Sequence, residues 1–255
     1  DCSGKPAWNV RGADFLVGGV TSANVTVVDA GVSEAGPTCT VQPLKSGGAP
    51  TLVVDFGRLV NGQLRVGLDA PAGVRIEIGY GESLNVTYVD TFTTRAGSNH
   101  IRPFMRRHGR YIFLTFHELR KPVTVRGVWF DHTTYPVKRA GQFESSDPVL
   151  DTIYETSART LQTCMHDHFE DCAWREQTLY CGDLHVSSAV ASTMFGDYAL
   201  ARKCLRNLAW IQRDDGALPM NGPRGALGKV IVEFVAHWVM ALRNYVLASG
   251  DTSLA

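Results

Sequence analysis

The sequence predicts a multidomain chain of the β + α class, with a β-sandwich over residues 1–140 and an α-helical domain over residues 145–255. Three observations carry the prediction. Short runs rich in Val, Ile, Thr and aromatics, separated by Gly, Pro and Asn, fill the first part. The apolar period changes from that of a strand to that of a helix near residue 140. Gly-Asp pairs then recur at positions 182–183, 196–197 and 250–251, each offering a glycine to end one segment and an aspartate to cap the next helix.

The strands are read at 51–55, 63–66, 74–80, 110–116 and 123–130. In the third of them Val74, Ile76, Ile78 and Tyr80 alternate with Arg75, Glu77 and Gly79, which places the apolar set on one face of a half-buried antiparallel strand. Several such strands with no helical segment between them point to a sandwich. The first helix opens at Asp147-Pro148, an N-cap followed by a proline that needs no backbone donor. Leu150, Ile153, Tyr154, Ala158, Leu161 and Met165 then recur at helical spacing. Further helices are expected over 184–195, 198–212 and 230–249, as a series of αα-hairpins.

Composition narrows the function classes. The 255 residues carry 25 Lys plus Arg against 25 Asp plus Glu, and a formally neutral chain with no basic block argues against nucleic acid or an anionic membrane surface as the main partner. The most apolar window, 230–242, is broken by Glu233 and His237 and falls short of the roughly 20 apolar residues of a membrane span, so no membrane partner and a soluble chain are expected. The start, Asp1-Cys2-Ser3-Gly4-Lys5, has neither a basic nor an apolar leader region, so a targeting peptide is expected to be absent or removed. Six cysteines without a CxxC pair suggest no thiolate metal site. Two sequons, at Asn24 and Asn85, lean towards a secreted or extracellular protein.

Chemistry concentrates between His166 and Asp183, where five carboxylates, two histidines and three aromatics stand with one arginine. Crowded carboxylates repel when ionised, so some of them are expected to have raised pKa values, the condition for a general acid. Interleaved aromatics offer flat faces to the C–H faces of a sugar ring. Carbohydrate hydrolysis uses this mixture, with one acid to protonate the leaving oxygen and other carboxylates to hold hydroxyls. Each residue also has a plainer role: Asp183 as a helix cap, Trp174 and Tyr180 as core aromatics, Arg175 as the neutraliser of a neighbouring carboxylate, Glu176 as an exposed glutamate. His166 and His168 with Asp167, Glu170 and Asp171 are weighed as a metal site and set aside, because an i, i+2 histidine pair does not share a helical face.

The run Asp171-Cys-Ala-Trp-Arg-Glu176-Gln-Thr-Leu-Tyr-Cys-Gly-Asp183 resembles, without a gap, the acidic motif D-C-P-W-R-E-x-x-x-W-x-G-D of the α-L-rhamnosidases of glycoside hydrolase family 78. Ala173 replaces the motif's proline and Tyr180 its second tryptophan. Upstream, the segments 54–58, 73–84 and 110–112 are similar to the β-sandwich that precedes the catalytic domain in this family.

The resemblance implies a jelly-roll-like sandwich feeding the first helices of an (α/α)6 barrel, here incomplete, and inverting hydrolysis of terminal α-L-rhamnosides in a rhamnose-containing glycoside or polysaccharide. Glu176 matches the general acid, Asp171 and Asp183 match carboxylates that contact rhamnose, and Tyr180 stands where an aromatic lines the sugar. Arg175 and Trp174 complete the candidate substrate-binding set, and no cofactor or metal is implied. The family's general base is a glutamate farther downstream than this chain reaches, so the resemblance implies a fragment inactive or nearly so alone, with exposed apolar helix faces. A non-catalytic carbohydrate-binding remnant, or another six-hairpin enzyme such as a glucuronidase or an unsaturated glucuronyl hydrolase, shares the same features and stays open at this point.

Overall fold

The structure is a computed structural model that describes residues 39–44, 48–222 and 228–254; the sequon at Asn24 and the thiol of Cys2 lie outside them. The chain divides between Thr133 and Thr134 into two compact units.

The first unit is one antiparallel sheet. Its strands are β1 (Cys39–Val41), β2 (Thr51–Ala70), β3 (Arg75–Gly81), β4 (Tyr88–Thr93), β5 (Gly97–Ile101), β6 (Arg107–His117) and β7 (Val123–His132), in the order β1-β7-β2-β6-β3-β4 with β5 also paired to β2. The long β2 unites two strands that the sequence reads separately. Its start pairs with β6 and its end with β7 and β5, and residues 56–59 bulge where the register jumps from Asp55 to Val60. Arg110, the residue facing that bulge, grips both oxygens of Asp55 at 2.8 and 2.9 Å. In β7 a second irregularity, opposite Gly67 and Leu68, inserts one residue and moves the apolar spacing from Val123 and Val125 to Val128 and Phe130. All four stay buried, because the bulge restores the inward phase that strict alternation would lose. Val74, Ile76, Ile78 and Tyr80 are buried together as expected, within one apolar cluster fed by strands from β1 to β7.

The second unit holds four helices: α1 (Pro148–Thr163), α2 (Cys181–Phe195), α3 (Ala199–Ala209) and α4 (Val232–Ser249). Asp147 caps α1, its side chain accepting the Val149 N–H at 2.9 Å. Gly196 and Gly250 end α2 and α4 in the left-handed conformation, which glycine adopts without a Cβ penalty. Asp197 then accepts the Leu200 N–H at 3.1 Å in the first turn of α3. The third joint departs from this pattern. Gly182 and Asp183 lie inside the first turn of α2, whose N-cap is Tyr180 with no side-chain cap bond, so Asp183 does not cap the helix as the sequence suggested. Cys181, Leu184, Ala191, Leu205, Leu208, Ala241 and Tyr245 belong to the core of this unit. Val149 on α1, and Val232, Val239 and Leu247 on α4, are exposed. None of the helices among the described residues is long and apolar enough to cross a membrane.

Candidate active site

The acidic run folds as a tight loop leading into a short hairpin. Asp171 closes the loop in both directions: its N–H donates to the Thr178 carbonyl at 3.1 Å, and its side chain accepts the Thr178 N–H at 2.9 Å. Inside it, the Glu176 N–H donates to Cys172 Sγ at 3.3 Å, the Gln177 amide donates to the Ala173 carbonyl at 2.9 Å, and Gln177 sits at φ 53°. A non-glycine residue rarely takes that conformation, and here the bonds on either side hold it. The chain then pairs as β8 (Leu179–Tyr180) with β9 (Asn221–Gly222) and enters α2.

These constraints bring Asp171, Glu176, Tyr180 and Asp183 together. Both oxygens of Glu176 are engaged: Arg175 donates to one at 2.7 Å and the Tyr180 hydroxyl to the other at 2.8 Å. Glu176 is partly shielded, with 36% of its side chain exposed, whereas Arg175 is 70% exposed. The bond to Glu176 is the main cause that holds the Tyr180 hydroxyl above its ordinary pKa, and Asn221 opposes it. Asp183, half-buried in the first turn of α2, is also raised, first by burial, then by the charge of Asp171; Glu176 adds to the rise and His237 of α4 opposes it. The crowding predicted from sequence therefore acts on Asp183. Trp174 is half-buried, and among the described residues no hydrogen bond or ring contact ties it to the carboxylates.

The neighbouring acidic and histidine residues disperse. His166 faces Glu170 at 3.1 Å, both buried; Asp167 is held by Lys203, which keeps its carboxyl below the usual range; His168 Nε2 meets the Gln177 carbonyl at 3.2 Å. Among the described residues no group of three or more His, Cys, Asp or Glu is placed to hold a metal ion. All five cysteines described are free, and burial pushes the thiols of Cys39, Cys164 and Cys181 up to about 11 and that of Cys204 up to about 12, away from thiolate chemistry.

Sequence reasoning did not place Asn221, Phe234 or His237 at this site. Phe234 meets the Tyr180 ring edge-on, centroids 6.2 Å apart. It also fills the space beside Gly182, where a Cβ would stand 2.9 Å from the ring, so a side chain there would require the Phe234 ring to shift. The one available signal was His237 itself, a polar break in the apolar window of 230–242.

Residues 138–255 match the family model described as the bacterial alpha-L-rhamnosidase 6 hairpin glycosidase domain. A family 78 rhamnosidase of Bacillus sp. GL1 is similar at 28% identity and TM-score 0.75, over 82% of this chain and 23% of its own. A Klebsiella oxytoca rhamnosidase with rhamnose bound is similar at 22% identity and TM-score 0.73, over 84% of this chain and 46% of its own. A Streptomyces avermitilis α-L-rhamnosidase complexed with L-rhamnose aligns at 20% identity and TM-score 0.54, over 77% of this chain and 22% of its own. The chain thus spans less than half the length of each of these structures. No curated protein matches it. The likeness to a glycosidase domain thus lies in the part of the chain that holds the acidic loop. More narrowly, residues 138–255 are similar to the bacterial rhamnosidase domain, and the fold is similar to that of a family 78 rhamnosidase.

Proposed function

We propose that this chain supplies the sugar-binding and proton-donating side of an inverting α-L-rhamnosidase. In this reading residues up to about 140 form a jelly-roll-like sandwich and residues from 145 begin an (α/α)6 barrel. The observation that carries the reading is the convergence of Asp171, Glu176, Tyr180 and Asp183 on one loop and helix start.

Glu176 is the proton donor to the glycosidic oxygen. Glu176 accepts on both oxygens in the structure, whereas a general acid carries a proton on one of them. The Tyr180 bond accommodates the change, because a phenol both donates and accepts: protonated Glu176 donates to Tyr180, then turns that proton to the leaving oxygen. Asp171 and Asp183 accept sugar hydroxyls in charge-assisted bonds, and Arg175 and Trp174 border the sugar. The reading assigns the water-activating base, which inversion requires on the opposite face roughly 6.5–9.5 Å away, to no residue of this chain. The substrate is a rhamnose-containing glycoside or polysaccharide. Secretion fits the exposed sequon asparagine Asn85.

Calorimetry with L-rhamnose, alongside an assay with an aryl α-L-rhamnoside, tests this. The purified chain is expected to bind rhamnose, to lose binding on Asp183→Ala, and to show negligible turnover. Sugar hydroxyls favour ionised Asp183, so binding is expected to weaken as pH falls through the raised pKa of that group. Absence of rhamnose binding overturns the sugar reading, and appreciable turnover overturns the missing base.

A further inference from the structure

Phe234 reaches the acidic run from α4. Its ring meets that of Tyr180 edge-on, with centroids 6.2 Å apart and planes at 84°, and lies where a Cβ on Gly182 would stand 2.9 Å from it. We propose that Phe234 is a positioning residue for the proton donor: lodged against Tyr180 and Gly182, it holds the Tyr180 ring in the orientation that keeps the phenol hydroxyl on Glu176. This rests on the reading of Glu176 as that donor.

The need for such a residue follows from how Glu176 is held. Its carboxylate accepts from Arg175 at 2.7 Å and from the Tyr180 hydroxyl at 2.8 Å. Arg175 is 70% exposed, and an exposed side chain with many rotamers fixes its partner weakly. Tyr180 has a firmer origin. Its main chain pairs with Asn221 across β8 and β9, and the next N–H, that of Cys181, donates to the Met220 carbonyl at 3.0 Å. Two side-chain torsions stay open, and the ring turns about them unless something packs against it.

Phe234 supplies that packing. An edge-on aromatic pair is directional, since the positive edge of one ring seeks the negative face of the other. Phe234 is itself carried on a seated helix: Ala241 and Tyr245 of α4 are buried in the core of this unit, and Trp238 Nε1 donates to the Leu205 carbonyl of α3 at 3.2 Å. The missing Cβ of Gly182 leaves the ring its room. A line of direct contacts thus runs from α4 through Phe234 and Tyr180 to the carboxylate of Glu176. The bond to Glu176 is the first cause of the raised phenol pKa of Tyr180, so that pKa reports whether the hydroxyl is in place.

NMR on the purified chain without ligand takes two readings, the NOE between the Tyr180 ring and the Glu176 methylenes, and the phenol 13C titration of Tyr180. Phe234→Leu should lose the NOE, lower the phenol midpoint by about half a pH unit or more, and weaken L-rhamnose binding about three- to tenfold. Phe234→Tyr retains the ring and should keep both readings. Gly182→Ala should push the Phe234 ring aside and move both readings as Phe234→Leu does, yet add little when combined with it. Unchanged readings in folded Phe234→Leu overturn the proposal, and so does their loss in Phe234→Tyr, which would mean that any change of Phe234 disturbs the site. If Phe234→Leu does not fold, unchanged readings in Gly182→Ala overturn it instead. Wild-type protein that binds no rhamnose defeats the sugar reading alone, since both readings are taken without ligand.

Discussion

Carboxylates of the sheet and Asp183 beside the acidic loop are handled in opposite ways. In the sheet, Asp55 is gripped by Arg110, Asp90 by Arg107, Asp69 by Arg126, and Asp131 by Arg65 and Arg102. Each negative charge there meets a cation from another strand or a strand end. In the loop, Asp171 and Glu176 raise the pKa of Asp183, and the opposing charge is a histidine from a different helix. Opposite pairing lowers the free energy of a fold, whereas like charges held together raise it and persist where a ligand uses them. The sheet neutralises its carboxylates in pairs, and the loop leaves Asp183 beside two like charges.

Replacing a carboxylate in each region breaks or sharpens that contrast. Asp90→Ala should have the largest effect, about 3 kcal/mol of lost stability in urea unfolding, because Arg107 is 12% exposed, donates two bonds to Asp90 and lies over the Tyr88 ring. Asp183→Asn should do the reverse and stabilise by about 0.5–1 kcal/mol at neutral pH. The sign follows from linkage: a carboxyl raised in the fold binds its proton more tightly there than in the unfolded chain, so its contribution is present at low pH and is lost as pH rises through the raised value. The urea midpoints of wild type and Asp183→Asn should therefore converge on acidification and separate above that pH. Asp147→Ala, which removes the cap of α1, should cost about 1 kcal/mol. Arg175→Ala should change stability least, within about 0.5 kcal/mol, because its partner Glu176 is met at an exposed surface.

Much of the fold was legible where a local period acts. β3, β6 and β7 show in the alternation or density of their apolar residues, and all four helices show in their spacing and joints. β4 and β5 were missed because they bury little: Tyr88 and Val89 are exposed, and only Asn99 and Ile101 of β5 are buried. β2 was read as two strands because its bulge interrupts the pattern at 56–59. In the acidic run, Asp171 to Asp183 stood out because the charge density lies in one continuous stretch, His166 to Asp183, that ends in a gapless motif. Asn221, Phe234 and His237 reach the same place from beyond α2, and no local pattern announces them.

The chain's own letters determine where strands and helices form, where Asp147 and Gly196 bound them, and where acid concentrates, because backbone period and capping act over a few neighbouring residues. Tertiary structure decides which carboxylate resists ionisation, which groups occupy Glu176, and which ring crowds Gly182. Burial and charge act through space, with a strength set by distance and dielectric, and α4 brings Phe234 and His237 to Tyr180 and Asp183 only once the helices pack.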